Sequence, residues 1–498
     1  MTHRGWLLGA AICLLSTAAQ ADDLWVATTG RSGNPGTRAQ PIDTMQNALR
    51  RARPGDRVLV SAGVYPGGGW IDARGTAEAP ITVVSAHGLH RAVLEGGREG
   101  LRIGDGGAYL VFEGLEVRNT TDNVVHIDGD SHHITLRHLY AHDAGTEGDV
   151  LKVNQAHHIV VERSEFARPG RRLPPNENPY QECIDFVATD EVIVRDSYIH
   201  DGGGNLLYAK GGSQGVVFER NVIADQRAGA ADPMVGLGAV TDRNLIAHGG
   251  SFEIYDVVFR NNIVVSGRHG ALAIYDGRNV NIANNLFVDN DRVLVEFRAG
   301  NGSAARSEGV RLVNNVFVDT RGSMPGPLVR QSHGVEGLFL SHNAYYNRGQ
   351  AVPTSALSEL AAQDGYLSED PRIALATGDR RVLMRALRPA EGSPLAASGF
   401  DSAAEPYEVT RDISNLTRDG RRDRGPWNLG VALPPPETDP APLFAENEAP
   451  DAGPPQIGPV ADEGGCHARP GPAPRRGPAA PLVGLVALAW HSLRRRRR

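Results

Sequence analysis

VVFERNVIAD (216–225), VVFRNNIVV (257–265), VNIANNLFVD (280–289) and VRLVNNVFVD (310–319) are four versions of one strand–turn unit. Each opens on β-branched and aromatic residues in period-2 alternation, reaches an asparagine, and runs into a second short apolar strand. Weaker copies flank them: LVFEGLEV (110–117), ITLRHLYAHD (134–143), IVVERSEF (159–166), VIVRDSYIHD (192–201) and LFLSHNAYYN (338–347). Aligned, the nine place Leu115, Leu139, Ser164, Ser197, Asn221, Asn262, Asn285, Asn315 and Asn343 in one column, at intervals of 24, 25, 33, 24, 41, 23, 30 and 28 residues. A base period of about 24 with occasional insertions predicts the coils of a parallel β-helix. The period-2 pattern excludes helical repeats, and a leucine-rich repeat would need a leucine framework the chain does not have. Asparagine tolerates left-handed backbone at a tight bend, and stacked Asn side chains hydrogen-bond along a solenoid axis. The column is therefore read as the bend of each coil.

A further strand follows each bend: VVHID (124–128), VLKVN (150–154), CIDFV (183–187), LLYAKG (206–211), LAIYDG (272–277) and VLVEFR (293–298). Alternation sends Val125, Leu151, Ile184, Leu207, Ile274 and Val295 inward. It turns His126, Lys152, Asp185, Tyr208 with Lys210, Tyr275 and Glu296 outward. With coils stacked about 4.8 Å apart, these residues form one polar ridge on one face. Lys152 and Lys210 are the only lysines; the other 49 of the 51 Lys+Arg residues are arginine. An ammonium can lose its proton where its pKa is depressed, and a guanidinium hardly can.

The rest of the chain is divided by composition. Residues 1–21 read as a secretory signal: Arg4, an apolar run from Trp6 to Leu15, and Ala19-Gln20-Ala21 before Asp22. Residues 22–107 hold an N-terminal cap and first coils, with helical spacing over Asp43–Arg53 that puts Met45, Ala48 and Leu49 on one face. The pattern GRSGNPGTRAQP…RPGDRVLVSAGVY resembles the start of many secreted right-handed parallel β-helix proteins. That resemblance implies an all-β, right-handed, single-stranded parallel β-helix, a pectin-lyase-like solenoid with a short N-terminal capping helix. Repeats occupy 108–345, a C-terminal cap 346–432, a Pro-rich linker 433–480, and an apolar segment with five terminal arginines 481–498. Cys466, the short apolar run and the Arg cluster resemble the C-terminal sorting tails of myxobacterial surface proteins. This resemblance implies that Cys466 is a processing and anchoring point at the membrane or cell envelope. Export to the cell surface is the expected localisation. The net charge of −7 and the lack of a broad basic surface exclude a nucleic-acid binder, and a monomer is expected. Cys183 is read as a small buried hydrophobe.

On the ridge, Asp149, Glu182, Asp185 and Asp201 lie near the two lysines. Clustered hard oxygens suit Ca²⁺. A Ca²⁺ bound to a uronate carboxylate would acidify the adjacent C5 proton, and a nearby amine could then remove it in a β-elimination. The excursion at 167–181 would overhang the ridge, with Arg168, Arg171 and Arg172 gripping an anionic sugar chain. Gly211-Gly212 would open the face beside Lys210. ECID followed one coil later by LLYAKGGS resembles the family 9 polysaccharide lyases, in which an acidic DDGLDL strand precedes GNGFKLGG. The resemblance implies Lys210 as the catalytic base, Asp149, Glu182 and Asp185 as Ca²⁺ ligands, and an acidic polysaccharide as substrate. Lys152 and Tyr208, with Arg171 and Arg172, complete the expected substrate-binding set. Gln181 stands where that family has another Asp, and Lys210 sits one residue nearer the Gly pair. Two other readings stay open. One is a glycoside hydrolase using carboxylates such as Asp185 and Asp201; the other is a non-catalytic glycan-binding adhesin. Lys152 and Asp185 could also be a simple stacked ion pair, and paired His132-His133 and His157-His158 a structural corner.

Overall fold

The computed structural model of the chain describes residues 21–170, 181–353, 363–401, 407, 409–418, 420–435 and 438–444. The leader, Arg171, Arg172 and Cys466 lie outside them. The fold is an all-β, right-handed parallel β-helix, as the repeat spacing predicts. Each coil contributes one strand to each of three parallel sheets, of 13, 10 and 11 strands. One coil reads His132–Arg137 in the first sheet, Tyr140–His142 in the third and Leu151–Asn154 in the second, before His157–Glu162 returns to the first.

The asparagine column is a continuous ladder. The Oδ1 atoms of Asn262, Asn285, Asn315 and Asn343 each accept from the backbone N–H of the ladder residue one coil earlier, at 2.9–3.1 Å. Each Asn Nδ2 donates to the next Oδ1 or to a strand carbonyl, as Asn285 does to Asn315 (2.9 Å) and to Phe259 O (2.8 Å). Ser197 and Ser164 extend the chain of bonds with their hydroxyls. The expected left-handed bend, however, falls one residue earlier. Asp196, Arg220, Asn261, Asn284, Asn314 and His342 carry φ of 52–58°, and the ladder residues do not. The ladder residue must align its N–H and side chain with the axis, so its predecessor makes the turn.

Alternation fills the interior. Val125, Leu151, Ile184, Leu207, Ile274 and Val295 are buried as expected, and one aromatic stack continues coil to coil through Phe287, Phe317 and Tyr345, with centroids 4.7 and 5.1 Å apart. The capping helix is Met45–Leu49, shorter than the helical spacing suggests. Thr44 caps its start by accepting from Asn47 N (3.2 Å), and Pro54-Gly55 lies shortly beyond its end. At the other end the chain turns back along the side of the solenoid. Leu383 on helix Arg380–Ala386, with Leu387, Leu395, Ile413 and Trp427, covers the outer face of the third sheet from Tyr198 to Ala344. Phe444 then reaches Trp25, with ring centroids 4.9 Å apart.

Candidate functional site

The second sheet places the ridge in register. Arg102, His126, Lys152, Asp185 and Tyr208 are successive partners in strands Leu101–Ile103, Val125–Ile127, Leu151–Asn154, Ile184–Val187 and Leu207–Lys210. Lys210 lies two residues beyond Tyr208, in the adjacent outward column.

The ridge is not an open face. Asp185 is fully buried, and Tyr208, Lys210, Tyr275 and Glu296 are at most 7% exposed. Insertions that carry no periodicity fold against the strand. Ala247 N donates to Gly211 O (2.9 Å). Gly211 and Gly212 therefore do not open the face as expected. Both take left-handed backbone (φ 68° and 80°), and a Cβ on Gly212 would lie 2.8 Å from Ala247 O. Glu253, which sequence reasoning missed, fastens this turn. Its fully buried carboxylate accepts from Gly211 N (3.0 Å), Thr241 N (3.0 Å), Thr241 Oγ1 (2.7 Å) and Asn301 N (2.9 Å). Only its position as a lone acid before an apolar strand could have signalled it.

Asp149, Glu182 and Asp185 do converge, with ligand oxygens all within 4.8 Å of one another. The ammonium of Lys152 stands among them, donating to Asp149 Oδ2 (3.1 Å) and, more closely, to Asp185 Oδ2. Asp149 Oδ1 accepts from Glu182 N (3.0 Å). Lys210 Nζ lies 3.9 Å from Asp185 Oδ2 and donates to Tyr208 Oη (2.6 Å). Asp185 Oδ1 is buried and accepts no hydrogen bond among the described residues. Burial pushes the Glu182 carboxyl well up, and the charge of neighbouring Asp149 adds to it. Burial also opposes the Asp149 charge, but Lys152 and hydrogen bonds from Glu182 outweigh it and hold Asp149 down. Burial, then Asp185 and the other acids, pushes the Tyr208 phenol well up. Burial disfavours the Lys152 charge, yet Asp185 and Asp149 more than compensate and raise its pKa. A depressed lysine pKa is thus not what the structure gives at Lys152.

The network continues toward the N-terminal coils. His126 Nε2 meets Asn154 Nδ2 (3.1 Å), and its Nδ1 meets Glu99 Oε1 (2.7 Å), which shares Arg102 with Asp128. The ring of Trp70, 44% exposed, lies under the Arg102 guanidinium. Other expectations fall away from the cluster. Asp201 is held by His200 Nδ1 (2.9 Å), just past a third-sheet strand. Arg168 is tied to Asp143 (2.9 Å) and to the Tyr140 hydroxyl (3.1 Å). His132, His133, His157 and His158 stack as two ring pairs across adjacent coils, 4.9 and 4.3 Å apart. Cys183 is buried as expected.

Two family models match the chain: the Pel9A-like right-handed β-helix region over residues 24–168, and the right-handed β-helix region over residues 124–317. No curated protein matches. Among solved structures, the chain is similar to pectate lyase Pel9A, at 16% identity and TM-score 0.48, over 82% of this chain and 96% of that one. It is similar to an alginate lyase from Paenibacillus sp. at 18% identity and TM-score 0.44, over 65% and 99%. It is also similar to PfbA, a surface adhesin of Streptococcus pneumoniae, at 12% identity and TM-score 0.43, over 61% and 80%. The second family model and the three stacked parallel sheets agree on the fold, a right-handed parallel β-helix.

Proposed function

We propose that the protein is a carbohydrate-active enzyme, a lyase that cleaves a uronate-containing polysaccharide by β-elimination. The observation that carries this reading is the pair Lys210 and Tyr208, an amine and a phenol 2.6 Å apart beside a fully buried carboxylate. In the proposed step the free amine of Lys210 takes the C5 proton. The electrons of the C5–H bond form the C4=C5 double bond, the C4–O bond breaks, and the leaving oxygen takes the Tyr208 proton. A phenol pushed up by burial keeps its proton until that moment. Asp185 holds the lysine in place. The resemblance of ECID and LLYAKGGS to family 9 lyases, and the family models matched, support the same reading. We place the enzyme outside the cytoplasm, exported by residues 1–21 and anchored through the tail at Cys466.

The acidic cluster expected for a Ca²⁺ site is present, and its carboxylates are donors of the right chemical type. A cation already stands in it, however: the Lys152 ammonium bridges Asp149 and Asp185. The residues as arranged do not fit a resident Ca²⁺.

Incubation with polygalacturonate, alginate and glycosaminoglycans tests the reading. The ultraviolet absorbance of unsaturated uronate should appear with wild type and be lost in Lys210→Met. No such product on any acidic polymer overturns it. One observation favours a second reading: burial and Asp149 push the Glu182 carboxyl up while Lys152 and Glu182 hold Asp149 down, a split that suits a glycosidase acid and base. Reducing ends without the unsaturated product would establish that alternative. Binding without turnover would leave a glycan-binding surface protein.

A further inference from the structure

We infer that the ammonium of Lys152 is the built-in cation of the Asp149–Glu182–Asp185 cluster, so that the protein as it stands holds no divalent ion there and becomes a calcium binder only when that ammonium is removed. The inference stands on the cluster's geometry and does not depend on whether a sugar is cleaved.

Calcium takes carboxylate oxygens at about 2.3–2.6 Å. An ion ligated by Asp149 Oδ2 and Asp185 Oδ2 would have to sit where both atoms are within reach, and the Lys152 Nζ occupies that place. The lysine cannot be set aside as a mobile surface chain. Its strand pairs in register with those of His126 and Asp185, and its side chain is only 23% exposed. Two lysines already face the carboxylates of Asp149 and Asp185. A divalent ion added there would meet both of them.

The choice of residue fits the role. In a chain with 49 arginines and two lysines, both lysines stand at these carboxylates. A compact ammonium places its charge at one point with three donors, as a metal ion does, whereas a guanidinium is a planar fork.

The test is calorimetric titration of CaCl₂ into the full chain, stripped of metal beforehand, for wild type and for Lys152→Gln. Wild type should show no saturable binding tighter than about 1 mM, the weak end of protein calcium sites. Lys152→Gln should bind one ion roughly tenfold or more below that limit, and Ca²⁺ should raise its melting temperature. Lys152→Gln/Asp185→Asn should lose the new site. If Lys152→Gln does not fold, Lys152→Met takes its place, and folding of either variant only with Ca²⁺ counts in favour. Tight binding by wild type, a melting temperature that chelator lowers, or no gain of binding in the variant would each overturn the inference.

Discussion

Two columns of charge run along this solenoid, and they are built differently. On the first sheet Glu113, Arg137, Glu162, Arg195, Glu219 and Arg260 are register partners in six consecutive coils, alternating in sign. Each carboxylate is met by a neighbouring guanidinium, as in Arg137–Glu162 (2.6 Å) and Arg260–Glu219 (2.9 Å). On the second sheet Arg102, His126, Lys152, Asp185 and Tyr208 follow no repeat, lie deeper, and leave an oxygen of Asp185 without a hydrogen bond among the described residues. A repeat fold stabilises itself by copying one satisfactory contact from coil to coil. Where copying stops and burial increases, the side chains are held for another reason, and the second-sheet column is such a place.

The largest effect should come from Asp185→Ala. It would leave Lys152 and Lys210 facing each other without their shared carboxylate, deep in the sheet. Removing one partner of a buried pair typically costs about 3–5 kcal/mol, and Lys152's partial exposure places this case near the lower figure. Chemical denaturation followed by circular dichroism measures it, and activity on any substrate of the wild type should vanish as well. A loss as small as that of an exposed ion pair would make the two columns equivalent.

Next comes the asparagine ladder. Asn285→Ala would strand the N–H of Asn262 and the carbonyl of Phe259, both inside the coil, and cut the side-chain link to Asn315. Each buried group left unsatisfied costs about 1–3 kcal/mol, so a loss of about 3 kcal/mol is expected. Ser164→Ala, where the ladder has thinned to one hydroxyl, should cost about 1 kcal/mol. Unlike Asp185→Ala, these changes should leave the site chemistry intact in molecules that remain folded.

The ladder also shows what could be read from the chain before its structure. Identical short side chains at one point of every coil announce themselves, and so does strict alternation. The fold, the inward residues and the stacking of Lys152, Asp185 and Tyr208 were all legible from those two periods. The burial of the site was not, because the insertions around 226–234 and 238–253 have no period to align. Glu253 belongs to one of them and acts through four backbone and hydroxyl donors that no motif records. Asp201 misled because nearness in sequence put it beside the cluster, while the coil carried it to the third sheet, where His200 holds it. The left-handed bend lies one residue before the asparagine column, since asparagine suits both the bend and the ladder and here serves the ladder.

A smaller effect concerns acid. Burial favours the neutral form of Glu99, but hydrogen bonds from His126 and Arg102 outweigh it and bring the carboxyl from 4.5 down to about 2. A carboxylate whose pKa falls on folding stabilises the fold fully above its unfolded value, and the contribution is lost as the pH drops through the folded one. Melting temperature should therefore fall between about pH 4.5 and 2. Glu99→Gln should flatten that part of the profile and leave the profile near neutrality with the same slope. An unchanged acid slope would show that this end of the second-sheet column is as replaceable as the first-sheet ladder.

The smallest effect is expected in that ladder, at Glu219→Gln. Glu219 accepts from Arg260 Nε (2.9 Å) and Arg220 Nη1 (2.7 Å), distances close to those in the site. Its partners are not left stranded, however. Arg220 also donates twice to Asp196, at 2.9 and 3.1 Å. A cavity of about 220 Å³, lined by Arg195, Glu219, Arg220 and Arg260, has room for water to serve whatever the amide cannot. Glutamine keeps one carbonyl acceptor in nearly the same place, so the loss should stay below about 1 kcal/mol, the range of solvent-served ion pairs. If Glu219→Gln instead costs as much as Asp185→Ala, then depth is not what separates the two columns, and the case for a functional second-sheet column loses its energetic footing.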